Sequence, residues 1–395
     1  MRLYLTALKP TDSVTDGFLP AARALGCEVT ILTDRPQRHP YAVACDVRDP
    51  RALIDAIEQL GRPDAIFSNS DHLQAETALA AAYFGLPGKD WRACVAAKNK
   101  FLMRRRLLGA GVEQVGSVRL APGDPMPDGV PCPVVLKPRE GVASEDVVLV
   151  ERDLAGAVAA ARRRRPGEAL VVEEYLDGPL RTLETLGDGH EVRVLGGFET
   201  TLGPLPHFVE ERLDWAAPPQ EDVAHVLDAL RALGAGFGAC HTEYVRTARG
   251  PRIVEVNYRA IGDHCDFLLG DLLGVPIFEW ILRVHLGERL PPPTPTEAGA
   301  ATGPAAGTAA GTRHGCAVSV VADRAGTIRS APEREHVVRG DVRLWHGPLR
   351  KVGDVVPLTH TNRDYLGVIR AVGPDRARVD AAVAGYRAAR PWVVE

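Results

Sequence analysis

Long apolar runs are missing from this 395-residue chain: no stretch approaches the ~18 uninterrupted apolar residues of a membrane span. The opening MRLYLTALKP carries neither the basic segment nor the apolar core of a secretory leader. No membrane partner is expected, and a cytoplasmic location is. Cysteine is scarce and unpatterned: the seven are odd in number, widely spaced and without a CxxC pair, which argues against a disulfide framework and against a zinc ribbon. An excess of positive charge is missing too. With 47 Lys plus Arg against 51 Asp plus Glu, the net charge of −4 offers no general field for nucleic acid phosphates. The Walker pattern is absent, and the first strand runs into LKPTDS, not into a GxGxxG turn, so two common nucleotide fingerprints are missing. No Ser, Cys or His triad stands out.

What is present is the balance of a folded protein. Hydrophobic residues make up 45% of the chain and charged residues 25%, and the length suits two or three lobes at ~100 to 200 residues each. RLYLTAL reads as a strand, Phe18 to Leu25 as a short helix closed by Gly26, and CEVTILTD as a second strand. RALIDAIEQLG, DAIFSNSD and a helix through HLQAETALAAAYFGLPG continue the alternation. Residues 1–92 are therefore expected to form an α/β lobe of parallel βαβ units. VAAKNKFLMRRRLLGAG reads as one helix ending at Gly111. The strands VGSVRLA, VPCPVVLKP, DVVLVE and EALVVEEYL, with the helix DLAGAVAAARRRR, predict a small α+β lobe over 115–182. Residues 93–114 and 183–290 are expected to form a central lobe of antiparallel strands closed by one amphipathic helix, FLLGDLLGVPIFEWILRVHLG. Residues 291–315, nearly all Pro, Ala, Gly and Thr, are expected to be a flexible connector, and 316–395 to fold back on the central lobe as strands and a last helix.

Chemistry concentrates in HTEYVRTARGPRIVEVNYR, residues 241–259, which reads as two strands joined by a turn at Thr247 to Pro251. Side-chain alternation puts His241, Glu243 and Val245 on one face, with Ile253, Glu255 and Asn257 on the same face of the partner. Glu243 then lies almost opposite Glu255, and two like charges across a ladder ask for a cation between them. Two carboxylates and an amide form a hard oxygen set suited to magnesium completed by nucleotide phosphates; solvated carboxylates on an exposed strand are the alternative. Lys137 ends the apolar strand PVVLKP, where an inward lysine needs an anion such as phosphate. The turn REGVASEDV after it could close backbone N–H groups over phosphate oxygens, or be an ordinary surface turn. Lys100, in a helix, and Arg104 to Arg106 read as solvated charge. VVEEYLDG runs from a buried strand into a turn that could offer adenine its backbone, or be an ordinary strand end.

This order of segments resembles the ATP-grasp superfamily of carboxylate–amine ligases, within it the L-amino-acid ligase and carnosine-synthase-like branch, with some likeness to siderophore-pathway proteins. The resemblance covers nearly the whole chain and implies a three-lobed ATP-grasp fold: an N-terminal parallel βαβ domain, a small lid lobe and a central antiparallel sheet domain. It implies ATP as co-substrate and Mg2+, with Mn2+ as a substitute. NKFLMRRRLLGAGV and PVVLKPREGVASEDV imply phosphate contacts at Lys100, Lys137 and Ser144. LVVEEYLDGP implies adenine contacts at Glu173, Glu174 and Leu176, and Glu184 stands in for the ribose glutamate where the pattern has Leu180. HTEYVRTARGPRIVEVNYR implies metal ligands at Glu243, Glu255 and Asn257 and a catalytic role for Asn257 and Arg259, the latter on the acyl phosphate. FVEERLDWAAP implies a substrate amino group at Glu210, although Leu213 stands where a histidine is expected. In IGDHCDFLL, Asp263, His264 and Asp266 could line the acceptor pocket, or His264 could be a hydrogen-bonded structural residue. HTNRDYLGVIRAVG resembles the branch's closing strands.

The function so implied is an ADP-forming ligase that activates a small carboxylate, an amino acid or a polycarboxylate, as an acyl phosphate and joins it to an amine, as in secondary metabolism. Its partners would be small molecules, with a homodimer left open. The rival expectation is a nucleotide-binding regulator that keeps the cleft without turnover.

Overall fold

The computed structural model describes residues 1–127, 129–293 and 313–395. Most of the expected connector, residues 294–312, lies outside the described residues. The N-terminal sheet is parallel, in the order β3-β2-β1-β4, from β1 (Arg2–Thr6), helix α1 (Leu19–Ala24), β2 (Glu28–Thr33), β3 (Ala42–Ala44), α2 (Pro50–Leu60), β4 (Ala65–Phe67) and α3 (Gln74–Tyr83). One face of it packs Tyr4, Leu32 and Ile66 against Leu53 and Ile57 of α2. The parallel arrangement delivers the segments after β1, β2 and β4 to one end of the sheet, the usual site-forming edge of such folds.

The single helix expected through Gly111 is two, α4 (Trp91–Lys98) and α5 (Lys100–Gly109). Asn99 is extended (φ −92°, ψ 98°) and its side chain accepts from the Leu102 N–H, so it caps α5 and breaks the run. A four-stranded lid sheet follows in the order β5-β8-β6-β7: β5 (Ser117–Leu120), β6 (Val134–Pro138), β7 (Val148–Val150), helix α6 (Leu154–Arg164) and β8 (Leu170–Glu174). Leu136, Val158 and Val172 close its own small core.

The largest sheet has ten strands. It begins with β9 (Leu180–Asp188), β10 (Val192–Gly196), β11 (Phe198–Leu202) and β12 (Glu210–Trp215), continues after helix α7 (Gln220–Leu233) with β13 (Phe237–Thr247) and β14 (Gly250–Asn257), and is followed by α8 (Cys265–Leu273) and α9 (Ile277–His285). α8 and α9 replace the one long helix expected there, because Gly274 takes a left-handed cap (φ 70°) and Pro276 cannot continue a helix. α7, capped by left-handed Gly234 (φ 80°), was not anticipated; with α4 and α5 it buries Val226, Leu230, Ala96 and Leu107 against Tyr244 and Ile253.

Four of the C-terminal strands extend this sheet, and the other three form a small sheet of their own. β15 (His314–Val321), β16 (Gly326–Ser330), β17 (Glu335–Arg339), β18 (Val342–Pro348), β19 (Val355–Val356) and β20 (Tyr365–Gly373) precede helix α10 (Arg376–Ala389) and β21 (Val393–Val394). The path of the large sheet is β14-β13-β9-β11-β12-β15-β20-β18-β17, with β10 on β9, so β12 hydrogen-bonds directly to β15, and the small sheet has the order β19-β16-β21.

Candidate active site

A cleft of about 1230 Å³ gathers the N-terminal loops, the lid sheet and the face of β13 and β14. On that hairpin Glu243 is the register partner of Glu255, and His241 of Asn257. A bulge follows Glu243, however, and it shifts the remaining pairs. Ile253, expected beside Glu255, therefore pairs with Tyr244 and is fully buried in the core, while Val254 lines the cleft in its place.

A cation does sit beside this pair: Lys100, which binds Glu255 directly. Its Nζ stands 2.6 Å from Glu255 Oε2 and donates to the Gly141 carbonyl of the lid at 3.2 Å. The expectation of a solvated lysine fails because Asn99 starts α5 at the cleft edge and turns Lys100 inward, leaving it 7% exposed. Burial works against its charge, but Glu255, then Asp71 and Glu243, outweigh it and raise its pKa. Glu255 responds in the opposite sense: burial is opposed by Lys100, Asn257 and Lys137, which hold its carboxyl well below the usual range. Asn257 Nδ2 donates to Glu255 Oε1 at 2.8 Å and to Glu243 Oε1 at 3.3 Å. A metal would require the amide turned to present Oδ1. Among the described residues no group of three His, Cys, Asp or Glu side chains stands ready for a metal ion. The set still fits magnesium: two facing carboxylates joined by one amide, all hard donors, with room in the cleft for phosphate oxygens.

Lys137, at the end of β6, is 4% exposed and lies 2.7 Å from Glu173 Oε2. Glu173 is where the nucleotide expectation has to be corrected. Its carboxylate is not turned to a base; it receives Arg104 through Nε at 3.1 Å and Nη2 at 3.0 Å, besides Lys137. As an interior strand of the lid sheet, β8 also uses the Glu173 backbone in its ladders with β5 and β6. Burial alone would raise its pKa, but Arg104 and Lys137 bring it down to about 2. Arg104, expected to be surface charge, is 5% exposed and reaches Glu113 Oε1 at 2.9 Å as well. Its signal was the spacing from Lys100: residues four apart in a helix share a face. Glu174 is also occupied, by the Gly116 N–H at 3.1 Å and by Arg249. Leu176, expected at the adenine hinge, lines the cleft just past β8, as does Tyr175.

Glu184 is not on the cleft wall. It is 2% exposed on β9, opposite His241, and accepts from His241 Nδ1 at 2.8 Å, so it cannot meet a ribose. His241 Nε2 in turn stands 3.3 Å from Glu243 Oε1. Burial opposes charge on this imidazole, yet Glu184 and Glu243 raise its pKa to about 10 and thus keep it an imidazolium.

Ser144 lines the cleft in a lid loop that holds Ala143, Ser144 and Asp146 at φ 57°, 54° and 55°. Non-glycine residues in this region store on the order of 1 kcal/mol or more each, so surrounding contacts must hold them. Arg259 lines the cleft 3.7 Å from Asp71 Oδ1. Asp71, not foreseen, is also bound by Lys98; burial opposes its charge, but Arg259 and Lys98 hold its pKa low. Glu210 starts β12 in the cleft wall; burial first, then the Glu243 and Asp263 carboxylates, push its pKa well up. Asp263, exposed and left-handed (φ 53°), lines the same end. His264 lines the cleft and is also hydrogen-bonded: its Nε2 meets Asp12 Oδ2 at 2.8 Å, and its ring centroid lies 3.9 Å from that of Trp345. Asp266 is 1% exposed on α8, where Oδ1 accepts the Phe267 N–H, and it does not line the cleft.

No family model matches the chain. It is 27% identical over 411 aligned residues to the uncharacterized protein y4rH of Sinorhizobium fredii, covering 97% of this chain and 81% of that one. To human carnosine synthase 1 it is also 27% identical, over 71% of this chain but only 37% of that protein's length. Among solved structures, the L-amino acid ligase of Bacillus licheniformis superposes with a TM-score of 0.80 over 100% of this chain and 98% of that one, at 19% identity.

Proposed function

We infer that this chain, an ATP-grasp carboxylate–amine ligase by its fold and its relatives, phosphorylates a small carboxylate with ATP in the cleft just described and condenses the acyl phosphate with an amine. The observation that carries this reading is the Glu243–Glu255 pair, with the Asn257 amide on both carboxylates and Lys100 on Glu255, and with Lys137 and Arg259 lining the same cavity. A magnesium ion held by Glu243, Glu255 and a turned Asn257 amide would neutralise phosphate charge there. Lys100 and Lys137 bind the phosphates of ATP, with Ser144 and the lid backbone over them, and Leu176 borders the base. Arg259 orients the carboxylate for attack on the γ-phosphorus and stabilises negative charge on the carbonyl oxygen. The amine enters near Glu210 and Asp263, which line the cleft together, and one of these carboxylates takes the ammonium proton. The free amine then attacks the carbonyl, and phosphate leaves.

Charge along the cleft favours an amino acid or a polycarboxylate as substrate. Glu210 and Asp263 add acidic groups to the lining, and Lys9, Arg35 and Arg48 add cations where the N-terminal loops enter it, Arg35 standing 3.9 Å from Asp34. Asp71 and Asp12 there are already paired, with Arg259 and Lys98, and with His264 and Arg334. A second anionic group on the substrate would balance those exposed cations.

The test is isotopic. With carboxyl-18O substrate, one labelled oxygen should appear in the released inorganic phosphate, because the oxygen that attacks the γ-phosphorus leaves with it. Label in AMP would indicate an adenylate instead, and ADP formation without transfer would require the ligase reading to be withdrawn.

A further inference from the structure

The lid loop after β6 is fastened by a segment far away in sequence. We propose that the loop Thr359–Asp364, ahead of β20, is a clasp that latches the phosphate lid to the substrate-bearing strand β12, with Asn362 and Arg363 as positioning residues for the ligation step; this rests on the ligase reading above.

The clasp is built from the inside. Asp364 is 1% exposed, and its carboxylate accepts the backbone N–H of Thr359 at 2.9 Å and of His360 at 2.6 Å, as well as the Thr359 hydroxyl at 2.9 Å. Thr361 and Asp364 complete a reciprocal capping box around Asn362 and Arg363. A loop fixed this firmly can hold its neighbours. The Asn362 N–H donates to the Ala143 carbonyl of the lid at 3.1 Å, while its Oδ1 accepts the Glu210 N–H, also at 3.1 Å. One residue therefore joins the strained lid loop to the wall assigned to the amine. Arg363 pairs with Glu145 of the lid, its carbonyl accepts from Arg350 Nη2 at 2.8 Å, and both arginines line the cleft. Tyr365, next in the chain, donates its hydroxyl to the Glu210 carbonyl at 2.7 Å. A second tie lies alongside: Leu149 N–H donates to the Pro206 carbonyl at 2.9 Å, and His207 stacks on His360 with centroids 4.7 Å apart.

The chemical need is specific. An acyl phosphate has a competing fate in which water attacks the carbonyl, phosphate leaves and the starting acid is regenerated, so ADP forms without amide. A lid latched to the Glu210 strand shuts only when that strand is correctly placed, which links exclusion of water to readiness of the amine site. Asn362 and Arg363 need not touch the reacting atoms to do this.

Hydrogen exchange of residues 141–148 in the full-length protein, with and without a non-hydrolysable ATP analogue, reads the latch directly. Arg363→Glu should speed exchange in this stretch, and Asn362→Ala, which keeps its backbone bond to Ala143 but loses Oδ1, should speed exchange of the Glu210 N–H, both leaving the cores of β9 and β13 unchanged. Replacing the ion pair by a like-charge contact in Arg363→Glu should also lower amide formed per ADP released by about fivefold. Arg363→Lys, which keeps a cation opposite Glu145, should preserve both readouts, which a general loss of stability at this position would not do. Unchanged exchange at 141–148 in Arg363→Glu, or the same acceleration in Arg363→Lys, overturns the clasp. Absence of turnover by the unaltered protein with every substrate pair would remove the ligase reading alone, since the exchange result still decides the latch.

Discussion

Glu173→Gln separates two roles for the same residue with one isosteric change. In the structure the Glu173 carboxylate balances two buried cations, Arg104 at 3.0 Å and Lys137 at 2.7 Å. Neutralising it leaves both cations facing each other, and removal of one partner from a buried ion pair costs about 3 to 5 kcal/mol, so the urea midpoint of the apoprotein should fall accordingly. Lys137 is affected next. Burial already lowers its pKa, Glu173 raises it, and Arg104 and Lys100 lower it. Without Glu173 the pKa must drop further, so a larger share of Lys137 is neutral as pH rises. If Lys137 contacts phosphate, losing that charge-assisted contact weakens ATP by ~1.5 to 3 kcal/mol, or about 10- to 150-fold. The alkaline limb of ATP affinity should move to lower pH, with partial recovery of affinity on acidification. Calorimetric titration of ATP and GTP across pH measures this. Unchanged ATP affinity, with only the preference between adenine and guanine altered, would refute the argument and return Glu173 to the base.

Glu255→Ala should abolish magnesium-dependent ADP release while circular dichroism stays that of the folded protein; an unchanged rate at saturating magnesium would remove Glu255 from the metal set. Arg48→Gln should raise KM for substrates with a second carboxylate more than for their monocarboxylate analogues, by about fivefold or more if the contact is charge-assisted; equal KM changes would deny the anionic subsite. Gly178→Ala, at φ 146° with an added Cβ 2.2 Å from the Arg246 carbonyl, should destabilise the protein by more than ~1 kcal/mol and disturb the hinge, seen as a lower unfolding midpoint and weaker ATP binding. Asp214 is held down to about 2: burial opposes its charge, and His314, Arg212 and Arg376 outweigh burial. Its stabilisation is therefore present above the ordinary aspartate pKa of 3.8 and lost as pH falls through about 2. Asp214→Asn should flatten the stability profile over that window, and an unchanged acid limb would show that the ion cluster contributes nothing there.

The sequence by itself determined what depends on local period and spacing. A two-residue repeat on either side of a short turn was enough to set Glu243 against Glu255, and an apolar strand ending in lysine was enough to mark Lys137, because burying an unpaired ammonium is costly. It also carried the α/β alternation of the N-terminal lobe and the strands of the lid. Tertiary structure decided which distant strands became neighbours, and with them the partners of each charge. Glu184 was drawn under His241 by the pairing of β9 with β13, a register that neither strand's own pattern specifies. Arg104 met Glu173 across 69 residues, turning a supposed base contact into the anchor of Lys137. The bulge after Glu243 moved Ile253 from the site into the core, since one extra residue exchanges the two faces of a strand. The clasp residues gave no sign in HTNRD of what they would hold, because a loop's hydrogen-bond partners are fixed only when the ten-stranded sheet brings β12, β15 and β20 side by side.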